Sequence, residues 1–137
     1  MSAMARDILI CDDEPDLVDA LGEYLENFDW KVRTANSATQ ALAILQSGPR
    51  PTLLLTDVRM PDMDGSELIR PAGSELPPDL RPVAMVAMTG HKNESNADDL
   101  RQAGASEVLF KPIELDLLRR TLDALLSGGR TAKAAQS

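Results

Sequence analysis

Leu53-Leu54-Leu55-Thr56-Asp57 is a short apolar run that ends in a carboxylate. With no polar alternation along it, the run reads as a strand buried on both faces, as in a parallel sheet. Asp57 then leaves the core at the strand's carboxyl end, the rim where open α/β sheets collect ligands and chemistry. Ile8-Leu9-Ile10-Cys11 ends the same way, in Asp12-Asp13. Val83–Met88 runs into Thr89, and Val108-Leu109-Phe110 runs into Lys111-Pro112. One edge of the sheet would therefore receive an acid pair, an acid, a hydroxyl and a cation.

Helical patterns separate these runs. Glu14-Pro15 suits a first turn, where proline is tolerated and acids favour the dipole. Leu17, Leu21, Leu25 and Phe28 follow at helical spacing. Trp30–Thr34 alternates as a short strand. Ser37 and Gln40 have capping-box spacing ahead of a helix carrying Ala38, Ala41, Leu42 and Leu45. Gly48-Pro49 stops it. A short helix with Asp64 as its N-cap is expected to end at Pro71. The four prolines between Pro71 and Pro82 predict an irregular surface loop. Asn93–Gln102 has few apolar anchors and predicts a weakly held helix capped by Gly104. Leu115, Leu118, Leu122 and Leu125 mark the last helix.

Strand and helix alternate five times, which predicts a doubly wound α/β fold with helices on both faces. The flavodoxin-like order 2-1-3-4-5 makes the first and third strands neighbours at the switch point. Asp12, Asp13 and Asp57 would then face one another.

The chain has 137 residues, enough for one domain with one core. Residues 6–126 are assigned to that domain and 127–137 to a flexible tail. No apolar run approaches the ~20 residues that span a bilayer, and no signal peptide is visible, so a cytoplasmic protein without membrane insertion is expected. The formal net charge is −8, with no basic stripe, so direct binding of nucleic acid is not expected. Cys11 is the single cysteine and reads as a small buried apolar residue. Met60, Met63, Met85, Met88 and Trp30 read as packing residues.

Three carboxylates in one pocket repel each other, and a hard divalent cation such as Mg2+ resolves the repulsion through oxygen ligands. A carboxylate beside such an ion is a nucleophile towards phosphorus. Lys111 and the Thr89 hydroxyl can each stabilise a phosphoryl oxygen.

In order and spacing, Asp12-Asp13, Asp57, Met60-Pro61-Asp62-Met63-Asp64-Gly65, Thr89-Gly90 and Lys111-Pro112 resemble the receiver domain of two-component response regulators. The resemblance covers about residues 6–126, and a stand-alone receiver without an attached output domain is expected. It implies a phosphorylation-dependent switch that catalyses only its own phosphorylation and dephosphorylation, with Asp57 as phosphoacceptor. Asp13 would bind Mg2+ (or Mn2+) directly and Asp12 mainly through water, with Asp57 and the Arg59 backbone carbonyl completing the set. Thr89 and Lys111 would contact the phosphoryl group, and the Lys111-Pro112 peptide would be cis. Arg59 and His91, each two positions past a site residue, would tune phosphoryl lifetime. The implied donor is a sensor histidine kinase or a histidine phosphotransfer protein, and the face around residues 90–120 would meet an unnamed downstream protein.

The family often places Tyr or Phe three residues before the lysine, where this chain has Val108. Phe110 is expected to face the opposite side of its strand. A haloacid-dehalogenase-type phosphatase is an alternative, but it needs a second acid where Arg59 stands. A nucleotide or flavin module needs a Gly-rich loop where Asp12-Asp13-Glu14-Pro15 stands. An unphosphorylated docking module is the third alternative.

Overall fold

The computed structural model describes residues 5–59, 65–90 and 94–127. Five parallel strands, β1 (Asp7–Cys11), β2 (Lys31–Ala35), β3 (Leu53–Asp57), β4 (Ala84–Thr89) and β5 (Glu107–Phe110), form one sheet in the order 2-1-3-4-5. Five helices connect and follow them: α1 (Pro15–Glu26), α2 (Ala38–Ser47), α3 (Gly65–Arg70), α4 (Glu94–Ala103) and α5 (Leu115–Leu126). The expected fold class is the one observed.

Strand alternation builds two cores. Ile8, Ile10, Leu53, Leu55, Val86, Met88 and Leu109 pack with α1 and α5. Leu9, Cys11, Leu54, Met85, Ala87 and Val108 pack with α2, α3 and α4. Every residue of β3 is buried, which explains its unbroken apolar run. Because β3 lies between β1 and β4, its end falls at the middle of the rim.

The Ser37 hydroxyl caps α2 by accepting from the Gln40 amide at 3.1 Å. The Gln40 side chain returns to the Asn36 amide at 2.7 Å, one residue before the cap. Gly104, at φ +132, ends α4 as its sequence position suggested.

Four local expectations are corrected. Phe28 does not continue the buried stripe of α1. The helix ends at Glu26, and Asp29 adopts a left-handed φ of 71. This turns Phe28 outward to 38% exposure and puts Trp30 in the core at 3%. Phe28 instead lies 5.1 Å from the Tyr24 ring, under the Arg119 guanidinium.

Pro71 does not start an irregular loop. The helix widens there into a π-helical turn, Pro71–Glu75, where Leu76 N–H donates to the Pro71 carbonyl at 3.1 Å. Pro71 stands at the first position of this turn, where it serves as an acceptor and its missing N–H costs little. Ala72 and Leu76 are buried, and a 3-10 turn, Pro78–Leu80, follows. Arg81 ties the segment together, donating to the Leu76 carbonyl at 2.7 Å and the Ser74 carbonyl at 2.9 Å.

Val83 precedes β4 and is 45% exposed, and the strand runs one residue further to include Thr89. Phe110 does not oppose Val108. The two are two residues apart, so strand alternation returns them to the same face, with Leu109 on the other. Val108 is buried there, while Phe110 is 37% exposed at the rim.

Candidate functional site

The strand order brings three acids together. Asp12 and Asp13 follow β1, Asp57 ends β3, and the two strands are hydrogen-bonded neighbours. One carboxylate oxygen from each of Asp12, Asp13 and Asp57 lies within 4.8 Å of the others. Asp12 is fully buried, Asp57 is 6% exposed, and Asp13 opens to solvent. Backbone bonds fix the rim. Asp12 N–H donates to the Ala35 carbonyl, Val58 N–H to Met88, and Lys111 N–H to Thr89.

Lys111 supplies the counter-charge. Its Nζ lies 3.1 Å from Asp12 Oδ2, 3.2 Å from Asp57 Oδ1 and 3.4 Å from Glu14 Oε1. The Asp12 Oδ1 accepts from the Glu14 amide at 2.9 Å, an Asx-type turn that leads into α1, whose N-cap Glu14 has no side-chain cap, so this residue shapes the turn and faces the site. Asp57 Oδ1 accepts from the Val58 amide at 2.9 Å. Burial pushes the Asp12 carboxyl above its usual range, against the lowering effects of the Glu14 amide and Lys111. Burial acts to lower the Lys111 ammonium, but its hydrogen bond to Asp12 and the charges of Asp57 and Asp12 outweigh this and leave it raised.

Thr89, 1% exposed, sits at the end of β4, and its Oγ1 accepts from Asn96 Nδ2 at 3.1 Å. The Lys111–Pro112 peptide is cis, and so is Gly48–Pro49. Arg59 is exposed two residues beyond Asp57. His91 and the stretch from Met60 to Asp64 lie outside the described residues. The contacts of Glu14 and Asn96 went unread in the sequence. Glu14 belongs to the acid run Asp12-Asp13-Glu14, whose charge surplus is a signal. Asn96 carries none.

The donor set is three hard carboxylate oxygens, which fits Mg2+ or Mn2+ and not a soft metal. A carboxylate, a cation and a hydroxyl around one acidic cleft suit acceptance of a phosphoryl group. The response regulator receiver domain family matches residues 8–123. The chain belongs to this family.

This receiver domain is 37% identical over 126 residues to an uncharacterized 14.6 kDa protein in the sodA1 3′ region of Leptolyngbya boryana, covering 87% of this chain and 90% of that one. It is 38% identical over 118 residues to the C4-dicarboxylate transport transcriptional regulatory protein DctD of Rhizobium meliloti (strain 1021). That match covers 86% of this chain but only 24% of the relative's length. Among solved structures, the signal receiver domain of a signal transduction histidine kinase from Syntrophus aciditrophicus matches with a TM-score of 0.79 at 31% identity, covering 90% of this chain and 92% of that one. The receiver domain is a phosphorylation-dependent switch of two-component signalling, and these matches lend no support to a phosphatase. No helix among the described residues is long and apolar enough to cross a membrane.

Proposed function

We propose that Asp57 is the phosphoacceptor, and that residues 6–126 form the working switch. The observation that carries this reading is the position of Asp57: at the end of the central strand, within 4.8 Å of Asp12 and Asp13, and paired with Lys111. A phosphohistidine of a sensor kinase or phosphotransfer protein is the donor, and the site is cytoplasmic. An Asp57 carboxylate oxygen attacks phosphorus as the donor's N–P bond breaks. The electron pair stays on the departing imidazole nitrogen, and the product is an aspartyl phosphate. Hydrolysis at phosphorus later releases inorganic phosphate and restores the carboxylate.

Asp12, Asp13 and Asp57, with the Arg59 backbone carbonyl, would hold Mg2+. When bound, the ion offsets the negative charge shared by the acids and the phosphoryl oxygens. Lys111 presents its ammonium to a phosphoryl oxygen, and Thr89 donates its hydroxyl proton to another. Arg59 and His91, by their sequence positions two residues past Asp57 and Thr89, would tune the lifetime of the adduct. The added charge draws Thr89 and Lys111 inward and biases the face around residues 90–120 towards or away from a downstream protein.

Intact mass after incubation with Mg2+ and a small phosphodonor tests this. One phosphoryl adduct is expected on the wild type and none on Asp57→Asn. No adduct where another receiver domain reacts would overturn the reading.

A further inference from the structure

The receiver reading leaves open how Thr89 is linked to the surface, since Val108 is buried and has no polar atom to offer. The structure supplies a different link. Asn96, in the first turn of α4, donates from Nδ2 to Thr89 Oγ1 at 3.1 Å. Thr89 belongs to the sheet and Asn96 to a helix, so the bond spans two elements.

We propose that Asn96 is a positioning residue that orients the Thr89 hydroxyl and carries its displacement to α4. The inference rests on the switch reading of Asp57. An amide NH2 can only donate, so Thr89 Oγ1 is the acceptor in this pair and its own proton points away from Asn96. That is the polarity a hydroxyl needs to serve an anionic phosphoryl oxygen. Donation to such an anion makes Oγ1 a better acceptor, so the Asn96 bond strengthens when Asp57 carries phosphate. Movement of Thr89 towards Asp57 then draws the first turn of α4 with it.

The helix is built to yield. Its buried residues among those described are Ala97, Leu100 and Ala103, and only Leu100 is large. With so small an apolar anchor, one hydrogen bond is a sizeable part of what fixes the first turn. A bond of this kind shifts a two-state equilibrium by about threefold to tenfold.

The test is amide chemical-shift mapping of α4 before and after phosphorylation of Asp57, with intact mass run alongside. Asn96→Ala is expected, compared with wild type at equal phosphoryl occupancy by intact mass, to lose about threefold or more of the shift change at Leu100 and Ala103. Asn96→Asp keeps the shape and reverses the polarity. Its carboxylate competes for the Thr89 proton, so its loss is expected to be larger than that of Asn96→Ala. An acid in a first helical turn suits the dipole, so this variant keeps the helix. In a Thr89→Ala background, Asn96→Ala is expected to have no further effect.

An unchanged α4 response in both Asn96 variants, with wild type phosphorylated, would overturn this inference and leave the switch reading intact. So would an Asn96→Ala effect of undiminished size without the Thr89 hydroxyl. Failure of the wild type to accept phosphate would remove both.

Discussion

Lys111 pairs with Asp57 across an intervening strand, Nζ to Oδ1 at 3.2 Å. β5 and β3 share no backbone hydrogen bonds, because β4 lies between them. Charge therefore joins two strand ends that the sheet keeps apart. The same ammonium serves the fully buried Asp12.

Removing that ammonium should have opposite effects with and without a divalent ion. In Lys111→Ala, Asp12 and Asp57 lose their cation in a site with little solvent. Breaking a buried pair costs several kcal/mol, but Lys111 keeps 22% exposure and Asp12 can take up a proton, so about 1–3 kcal/mol is expected without metal. Mg2+ no longer competes with the ammonium for the same oxygens, so saturating Mg2+ should stabilise the variant more than wild type. Urea unfolding with and without Mg2+ measures both. A variant as stable as wild type without metal, or less stabilised by Mg2+, contradicts the argument.

Asp12→Asn should invert the pattern. Burial raises the Asp12 carboxyl above the ordinary value of 3.8, so in the window above 3.8 the folded state holds a proton that the unfolded state has lost. Stability of the metal-free protein therefore falls as pH rises through that window, and the penalty persists at neutral pH. The asparagine variant carries no such penalty, so without metal it should be the more stable form at pH 7 and gain little at pH 3. With Mg2+ at a hundred times its Kd, wild type gains about 2.7 kcal/mol, and a tenfold weaker site forfeits about 1.3 of this. Thermal unfolding at pH 3 and 7, each with and without Mg2+, checks the four corners. An asparagine variant less stable than wild type in metal-free buffer at pH 7 would be the contrary result.

Much of this site was legible because buried parallel strands leave a plain trace. Leu53–Asp57 has no polar interruption, and its last residue is necessarily at the rim. The strand order then places Asp12 beside Asp57 by topology alone. What stayed hidden depends on single backbone angles or on contacts between elements. The left-handed Asp29 decides that Trp30 is buried and Phe28 is not, although both are large and apolar. α3 does end at Arg70, just before Pro71, but the chain continues there as a π-helical turn, which a cluster of prolines in the sequence does not distinguish from an irregular loop. The Asn96–Thr89 bond joins residues seven apart on different elements and has no periodic signature.

Arg81 should prove structural, as the clamp of that proline-rich return. Its guanidinium donates to the carbonyls of Leu76 and Ser74, and its own carbonyl accepts from Arg50 at 3.4 Å. Arg81→Ala is expected to cost about 1–2 kcal/mol, the range for hydrogen bonds from a charged donor at a partly exposed site. The loss should be local. Hydrogen exchange at the Leu76 amide should quicken more than exchange at Leu54 in the central strand. Equal acceleration at both amides would mean that the clamp acts on the whole fold.

Val108→Tyr tests whether the family's aromatic position can simply be refilled. Val108 is 6% exposed and packs in the same core as Ala97, Leu100, Ala103 and Ala105, on the side of α4. Val108 is already buried in this core, so a ring directed inward overpacks it, at a cost of about 1–3 kcal/mol. The strain falls on α4, whose one large buried anchor among the described residues is Leu100, so the helix should give way before the sheet does. Expected are a lower urea midpoint and faster exchange at Leu100 and Ala103, with phosphorylation of Asp57 retained. A tyrosine variant as stable as wild type, with α4 exchange unchanged, would show that the ring turns out to solvent beside Phe110 and that the core at Val108 does not constrain the helix.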